Sequence, residues 1–206
     1  SMPYHFIAWY EALRPYGIRL SCFDVYAKEG ERWEKTLRYF LRSEGIEPTA
    51  AILQKIFRRR QLLFRKYFKR FLFAGAAEVI GALKEQGYLL GLVTGTPLHD
   101  VREILPRRVY QKFDTIVTGD RVRHGKPHPE PYRTAARELK VEARDCIVIE
   151  NAPLGIASAK GAGMFCVAVT TSLPKAYLTG ADLTVTRLSD IGSLAGKLQR
   201  VATGQK

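Results

Sequence analysis

The sequence predicts an α/β protein: an all-helical region over residues 1–70 feeding an open parallel sheet covered by helices over residues 71–206. Two observations predict it. Up to about Arg70, apolar residues recur only at helical spacing, with no alternation of strand type. Beyond Phe71, short runs that are apolar throughout alternate with helical patterns, as in parallel strands buried on both faces.

The elements follow in order. Phe6, Trp9, Tyr10 and Leu13 mark a first helix that Gly17 stops. Trp33, Leu37, Phe40 and Leu41 mark a second, ending before Gly45. Pro48-Thr49 opens a long third helix with Leu53, Ile56, Phe57, Phe64, Tyr67, Phe68 and Phe71 on its apolar face. Its other face is assigned Arg58, Arg59, Arg60, Arg65, Lys66, Lys69 and Arg70, expected to lie in solvent. A helix over Ala76–Gln86 ends at Gly87, a residue free to take the left-handed conformation. Strands are then expected at Tyr88–Thr94, Phe113–Thr118, Cys146–Glu150, Phe165–Val169 and Leu183–Thr186. Between and after them, helices are expected from Pro97, at Pro129–Leu139, at Gly155–Gly163 and at Ile191–Val201.

The composition supports a folded protein: 46% hydrophobic and 26% charged residues are enough for a core. No apolar run reaches the ~20 residues of a membrane-spanning helix, and no leader pattern opens the chain. Of the three cysteines, Cys146 and Cys166 lie in strand-like runs and are expected as buried reduced thiols, which points to the cytoplasm. The net charge of +13 favours an anionic partner.

In open parallel sheets ligands bind beyond the carboxyl ends of the strands. Thr94-Gly95-Thr96 follows the first strand, and its hydroxyls and amides can surround one anion. The same three residues also make a plain strand-to-helix turn with Thr96 as N-cap. Gly125-Lys126-Pro127-His128-Pro129 follows the second strand, where Lys126 is either an exposed turn residue or an ammonium aimed into the cleft, as phosphoryl transfer requires. Glu150-Asn151 ends the third strand and offers hard oxygen ligands for Mg²⁺, or a helix cap. Three such signals at successive strand ends make phosphoryl chemistry the stronger reading.

Leu92–Thr96, Gly125–Tyr132 and Val148–Gly155 resemble the second, third and fourth motifs of the haloacid dehalogenase superfamily, in its β-phosphoglucomutase and phosphoglycolate-phosphatase-like branch. The resemblance implies a Rossmann-like core with an inserted helical cap, the cap matching the region up to about Arg70. It implies that Thr94, with Gly95 and Thr96, binds phosphate and that Lys126 neutralises the phosphoryl group and nucleophile. Glu150 and Asn151 would help hold Mg²⁺, although many relatives carry aspartate where Asn151 stands. The implied reaction is phosphatase action on a small phosphorylated metabolite through an aspartyl-phosphate.

That reaction needs an Asp-x-Asp motif, and the sequence has none. Asp24 is rejected as a substitute because no strand-like run precedes it. Ser1–His5 resembles the segment that directly follows the first motif, so the nucleophile is expected on a strand upstream of Ser1. Two rivals remain in view. A mutase is encouraged by His5, for which β-phosphoglucomutase has a matching histidine near the cap hinge; related phosphatases often carry one too. Nucleic-acid binding along Arg58–Arg70 is disfavoured because the aromatics there fall on the apolar face.

Overall fold

The computed structural model describes residues 1–191 of the chain, so the closing helix expected over Ile191–Val201 falls, apart from Ile191, outside the described residues. The helical half contains α1 (Met2–Leu13), α2 (Cys22–Tyr26), α3 (Trp33–Ser43) and α4 (Ala50–Tyr67). Ser21 and Asp24 form a reciprocal capping box on α2, the Ser21 amide donating to Asp24 Oδ2 at 2.7 Å and the Asp24 amide to Ser21 Oγ at 3.2 Å. Asp24 is therefore committed to a helix end. Thr49 caps α4, its Oγ1 accepting from the Ile52 amide. One core unites the four helices, with Leu13, Leu37, Leu41 and Ile56 fully buried and Trp33 stacked on Phe57 at 3.7 Å.

The α/β half runs α5 (Ala76–Glu85), β1 (Gly91–Val93), α6 (Leu98–Ile104), α7 (Arg107–Tyr110), β2 (Thr115–Val117), α8 (Glu130–Leu139), β3 (Ile147–Glu150), α9 (Pro153–Gly161), β4 (Phe165–Val169) and β5 (Leu183–Val185). All described strand pairs are parallel, as the apolar runs predict. β4 lies between β3 and β5 with Cys166, Val167 and Ala168 fully buried. The fold class is α/β with a parallel-stranded core of Rossmann type and an all-helical companion.

The strands fall into two ladders, and three expectations need correction, those for Arg60, Phe71 and Cys146. The strands do not make one continuous sheet: β1 pairs β2, β3 pairs β4 and β5, and no ladder joins β1 to β3 among the described residues. The edges that face each other are left unpaired, and Ile149 on β3 is 39% exposed. Arg60 was expected in solvent and is buried, because it falls on the same stripe of α4 as Leu53, Ile56 and Phe64. Arg58, Arg59, Arg65, Lys66, Lys69 and Arg70 are exposed as expected. Phe71 lies beyond the end of α4 and is exposed. Cys166 is buried, its thiol pushed up to about 12 by burial and then by Glu150 and Asp182. Cys146 is only half-buried, because it precedes β3 instead of lying within it. No helix among the described residues is long and apolar enough to cross a membrane.

Candidate active site

A cleft of about 300 Å³ lies between the two halves, over the carboxyl ends of β1 and β3. His5, Thr94, Gly95, Thr96, Lys126, Glu150 and Asn151 all line it. The sequence-derived residues are thus brought to one place, with further side chains from the helical half.

The Thr94–Thr96 turn is set by backbone contacts. The Thr94 amide donates to the Val117 carbonyl at 3.0 Å and the Thr96 amide to Thr94 Oγ1 at 3.1 Å. Gly95 is required by crowding: a Cβ there would lie 2.7 Å from the Gly30 carbonyl oxygen, on the loop after α2. Pro97, not Thr96, occupies the N-cap position of α6.

Lys126 is buried. Its Nζ donates to the Val93 carbonyl of β1 at 3.2 Å and pairs with Glu150 Oε1 on β3, so one ammonium ties the two half-sheets together. The hydroxyl of Tyr132 on α8 donates to the same Glu150 oxygen at 2.5 Å, and the Asn151 amide donates to Oε2 at 3.1 Å. Burial alone would raise the Glu150 carboxyl, but the Lys126 charge and these hydrogen bonds hold it below its ordinary range. Gly155 makes room for that carboxylate: a Cβ there would lie 2.0 Å from Glu150 Cδ.

Asn151 uses its amide nitrogen twice, donating to Glu29 Oε2 at 3.0 Å and to Ser172 Oγ at 2.7 Å. That orientation turns Oδ1 away from both partners and leaves it as the acceptor of the pair. Glu29, from the turn after α2, is the carboxylate that sequence reasoning missed. Burial, reinforced by the Glu150 charge, raises its carboxyl from 4.5 to about 7 against the pull of Asn151 and Lys126. It sits in a turn without periodicity, and no pattern in the sequence singles it out.

Deeper under the helical half, Arg60 Nη2 donates to His5 Nδ1, and the His5 ring stacks on Phe64 at 4.5 Å. Burial, then the Arg60 charge, push His5 well below 6.5, so the imidazole is neutral at pH 7. Burial lowers Arg60 to about 10, leaving it charged, and Nε of the guanidinium has no hydrogen-bond partner among the described residues. A signal for Arg60 did exist: its helical phase. Among three consecutive arginines only position 60 continues the apolar stripe.

The profile of the haloacid dehalogenase-like hydrolases matches residues 15–169. The chain belongs to that family. Validoxylamine A 7′-phosphate phosphatase of Streptomyces hygroscopicus subsp. limoneus is 39% identical over 118 residues, 57% of this chain and 55% of that protein. The chain thus spans about half the length of that relative. β-Phosphoglucomutase of Bacillus subtilis (strain 168) is 32% identical over 195 residues, 91% of this chain and 84% of that one. Among solved structures, CbbY of Rhodobacter sphaeroides in complex with xylulose-(1,5)bisphosphate superposes with a TM-score of 0.77 at 26% identity, covering 94% of this chain and 91% of that chain. β-Phosphoglucomutase of Clostridium difficile reaches 0.86 at 20% identity, covering 100% and 93%, a likeness of fold. The family thus contains both phosphatases and mutases of small phosphorylated molecules among this chain's relatives.

Proposed function

We propose that this chain forms the cap and most of the core of a Mg²⁺-dependent phosphatase acting on a small phosphate monoester of the sugar-phosphate class. Residues 1–70 serve as the cap and the remainder as the core. The observation that carries the reading is the convergence of Thr94, Lys126 and the Glu150–Asn151 pair on one cleft beneath a helical cover. A buried ammonium held in such a cleft is a prepared counter-charge for a phosphoryl group.

Each side chain then has a task. The Thr94 hydroxyl and the Gly95 amide receive the phosphoryl oxygens, the Thr94 and Thr96 amides being spent on the Val117 carbonyl and Thr94 Oγ1. Lys126 offsets charge on those oxygens and on the nucleophile. Glu150 keeps Lys126 aimed, and Tyr132 supports Glu150 through its hydroxyl. Arg60 lines the cleft beside the substrate's polar body, with Trp9 and Trp33 as apolar walls. The donor set fits Mg²⁺: Asn151 Oδ1, the Glu150 carboxylate through water and the Glu29 carboxylate are all hard oxygens. When bound, Mg²⁺ would supply positive charge that lowers the repulsion between a phosphate dianion and an anionic nucleophile.

The nucleophile is an aspartate upstream of Ser1, on a strand that fills the space between the unpaired edges of β1 and β3. It would form an aspartyl-phosphate that water then hydrolyses. Sequencing the gene 5′ of Ser1 tests this first: an apolar strand ending in Asp-x-Asp-Gly is expected, and an initiator codon with no such strand would refute it. A chain carrying that segment is then assayed with Mg²⁺ against a panel of phosphate esters. Phosphate release from sugar phosphates is expected, and no release from any ester would defeat the proposal.

One observation favours a second reading. The curated match to β-phosphoglucomutase of Bacillus subtilis extends over 91% of this chain. A mutase must reorient its intermediate under a closed cap, and His5 lies where the cap begins. His5→Ala should leave a phosphatase's turnover within about threefold, yet slow a mutase by tenfold or more, since positioned acid–base groups contribute about 10²–10⁴-fold.

A further inference from the structure

A second cluster of chemically capable side chains lies outside the cleft, on the loop between β2 and α8. His124, His128 and Glu130 each bring one ligand atom into a common space, all within 4.8 Å of one another. His124 Nδ1 lies 2.8 Å from Glu130 Oε2 and His128 Nδ1 lies 4.0 Å from the same oxygen. The two imidazole rings stand 4.6 Å apart, tilted by 34°. Ligands around a tetrahedral ion with bonds of about 2.1 Å sit roughly 3.4 Å apart. Closing the cluster to that size needs only small rotations of the two histidines, whose side chains are about half exposed at 53% and 50%.

The carboxylate is already positioned. The Arg123 amide donates to Glu130 Oε1 at 2.7 Å and the His124 amide to Oε2 at 3.0 Å. These donors, the Arg123 amide foremost, hold the Glu130 carboxyl below its ordinary range, so it is anionic at neutral pH. His128 Nδ1 accepts from the Glu130 amide at 3.2 Å, so it carries no proton, and ligation through it would replace that hydrogen bond. His124 can present Nδ1 as well, by moving its ring proton to Nε2. Two imidazoles and one carboxylate suit zinc, nickel or cobalt, and discriminate against Mg²⁺, which prefers an all-oxygen shell.

We propose that His124, His128 and Glu130 form a site for a divalent transition ion of the Zn²⁺ class, with water completing the shell, separate from the phosphoryl cleft. The ligands flank Gly125-Lys126-Pro127, so the ion staples both ends of the turn that carries Lys126. The helical half also grips this turn: Arg32 Nη1 donates to the Arg123 carbonyl at 3.1 Å, and a Cβ on Gly125 would meet Arg32 Cγ at 2.8 Å. Occupancy would therefore stiffen the junction between the halves.

The test uses untagged protein, stripped by chelator and kept in excess Mg²⁺ so that hard-oxygen sites are filled. ZnCl₂ is titrated in competition with a chromogenic zinc indicator. One ion per chain is expected, bound at micromolar Zn²⁺, and weakened about 10-fold or more in His124→Ala and in His128→Ala. In the unsubstituted protein, Zn²⁺ should shift the ring-proton NMR signals of His124 and His128 and leave those of His5 and His99 in place. This second readout does not depend on how the variants fold. Affinity weaker than about 100 µM, affinity unchanged in both variants, or shifts confined to other histidines would each overturn the site. Because the readouts are binding and ring shifts, such a failure leaves the phosphatase reading untouched.

Discussion

At the scale of single residues, Lys126 and Glu29 carry the most consequence. Lys126 is buried among partners that leave it one geometry: a β1 carbonyl, the Glu150 carboxylate and the Tyr132 ring 5.0 Å away. In a chain that includes the upstream strand, Lys126→Ala should lower turnover on every phosphate ester by about 10²–10³, with the fold verified by circular dichroism. Lys126→Arg should recover little, because a planar guanidinium cannot take the place of a compact ammonium. Near-normal turnover in Lys126→Ala would leave the Gly125–Pro127 turn a structural feature only. Glu29 makes a prediction of pH. Its carboxyl is raised from 4.5 to about 7, so across that window the folded chain holds a proton that the unfolded chain has lost. Stability therefore falls as pH rises from about 4.5 to about 7. Glu29→Gln should remove that slope and gain about 1–3 kcal/mol over the parent at pH 8, read by urea denaturation across the pH range. Parallel pH profiles for the two proteins would contradict the assignment.

At the scale of elements, the structure separates what a sequence pattern can carry from what it cannot. The strand-end motifs were legible because Thr94, Lys126 and Glu150 each follow an apolar run, and chain direction alone puts the ends of parallel strands on one side. Element identity was legible for the same reason, whereas boundaries shrank: the expected strand over Tyr88–Thr94 pairs only at Gly91–Val93. Periodicity reports apolar character, and pairing needs a neighbour that β1 has on one side only. Arg60 was legible in its helical phase, but Glu29 stayed hidden because burial of a charge in a turn depends on what another element packs over it. Gly155 shows the same dependence in a testable form. It lies in the first turn of α9 against the Glu150 carboxylate, and nothing in Pro153-Leu154-Gly155 marks that crowding. Gly155→Ala should push Glu150 off Lys126, cost about 1–3 kcal/mol in stability and lower turnover at least tenfold, measured by thermal melts and kinetics. Unchanged melting and turnover would show that α9 yields and the carboxylate stays.

At the scale of the whole molecule, the +13 charge has a place to act. Arg58, Arg59, Arg65, Lys66, Lys69 and Arg70 are exposed along and just beyond α4, while Phe64 and Phe68 stack on each other at 5.0 Å and Phe57 stacks on Trp33. Aromatics spent on packing cannot stack on bases, so the field of this face attracts anions without reading them. The ratio kcat/KM for an anionic ester should fall roughly threefold to tenfold between about 20 mM and about 0.2 M salt. A flat salt profile would dismiss steering, and tight duplex binding lost on neutralising these residues would restore the nucleic-acid reading. The divided sheet has a further consequence, for how the chain assembles. β1 with β2, and β3 with β4 and β5, are each built from strands near one another in sequence, so each half can form on its own contacts. Joining them falls to the strand proposed upstream of Ser1, which would pair with both edges, and to Lys126 reaching from Val93 to Glu150. The machinery proposed for chemistry is then also the last clasp to close. A newly made chain would acquire its anion-binding pocket only when the two halves of the sheet have found each other.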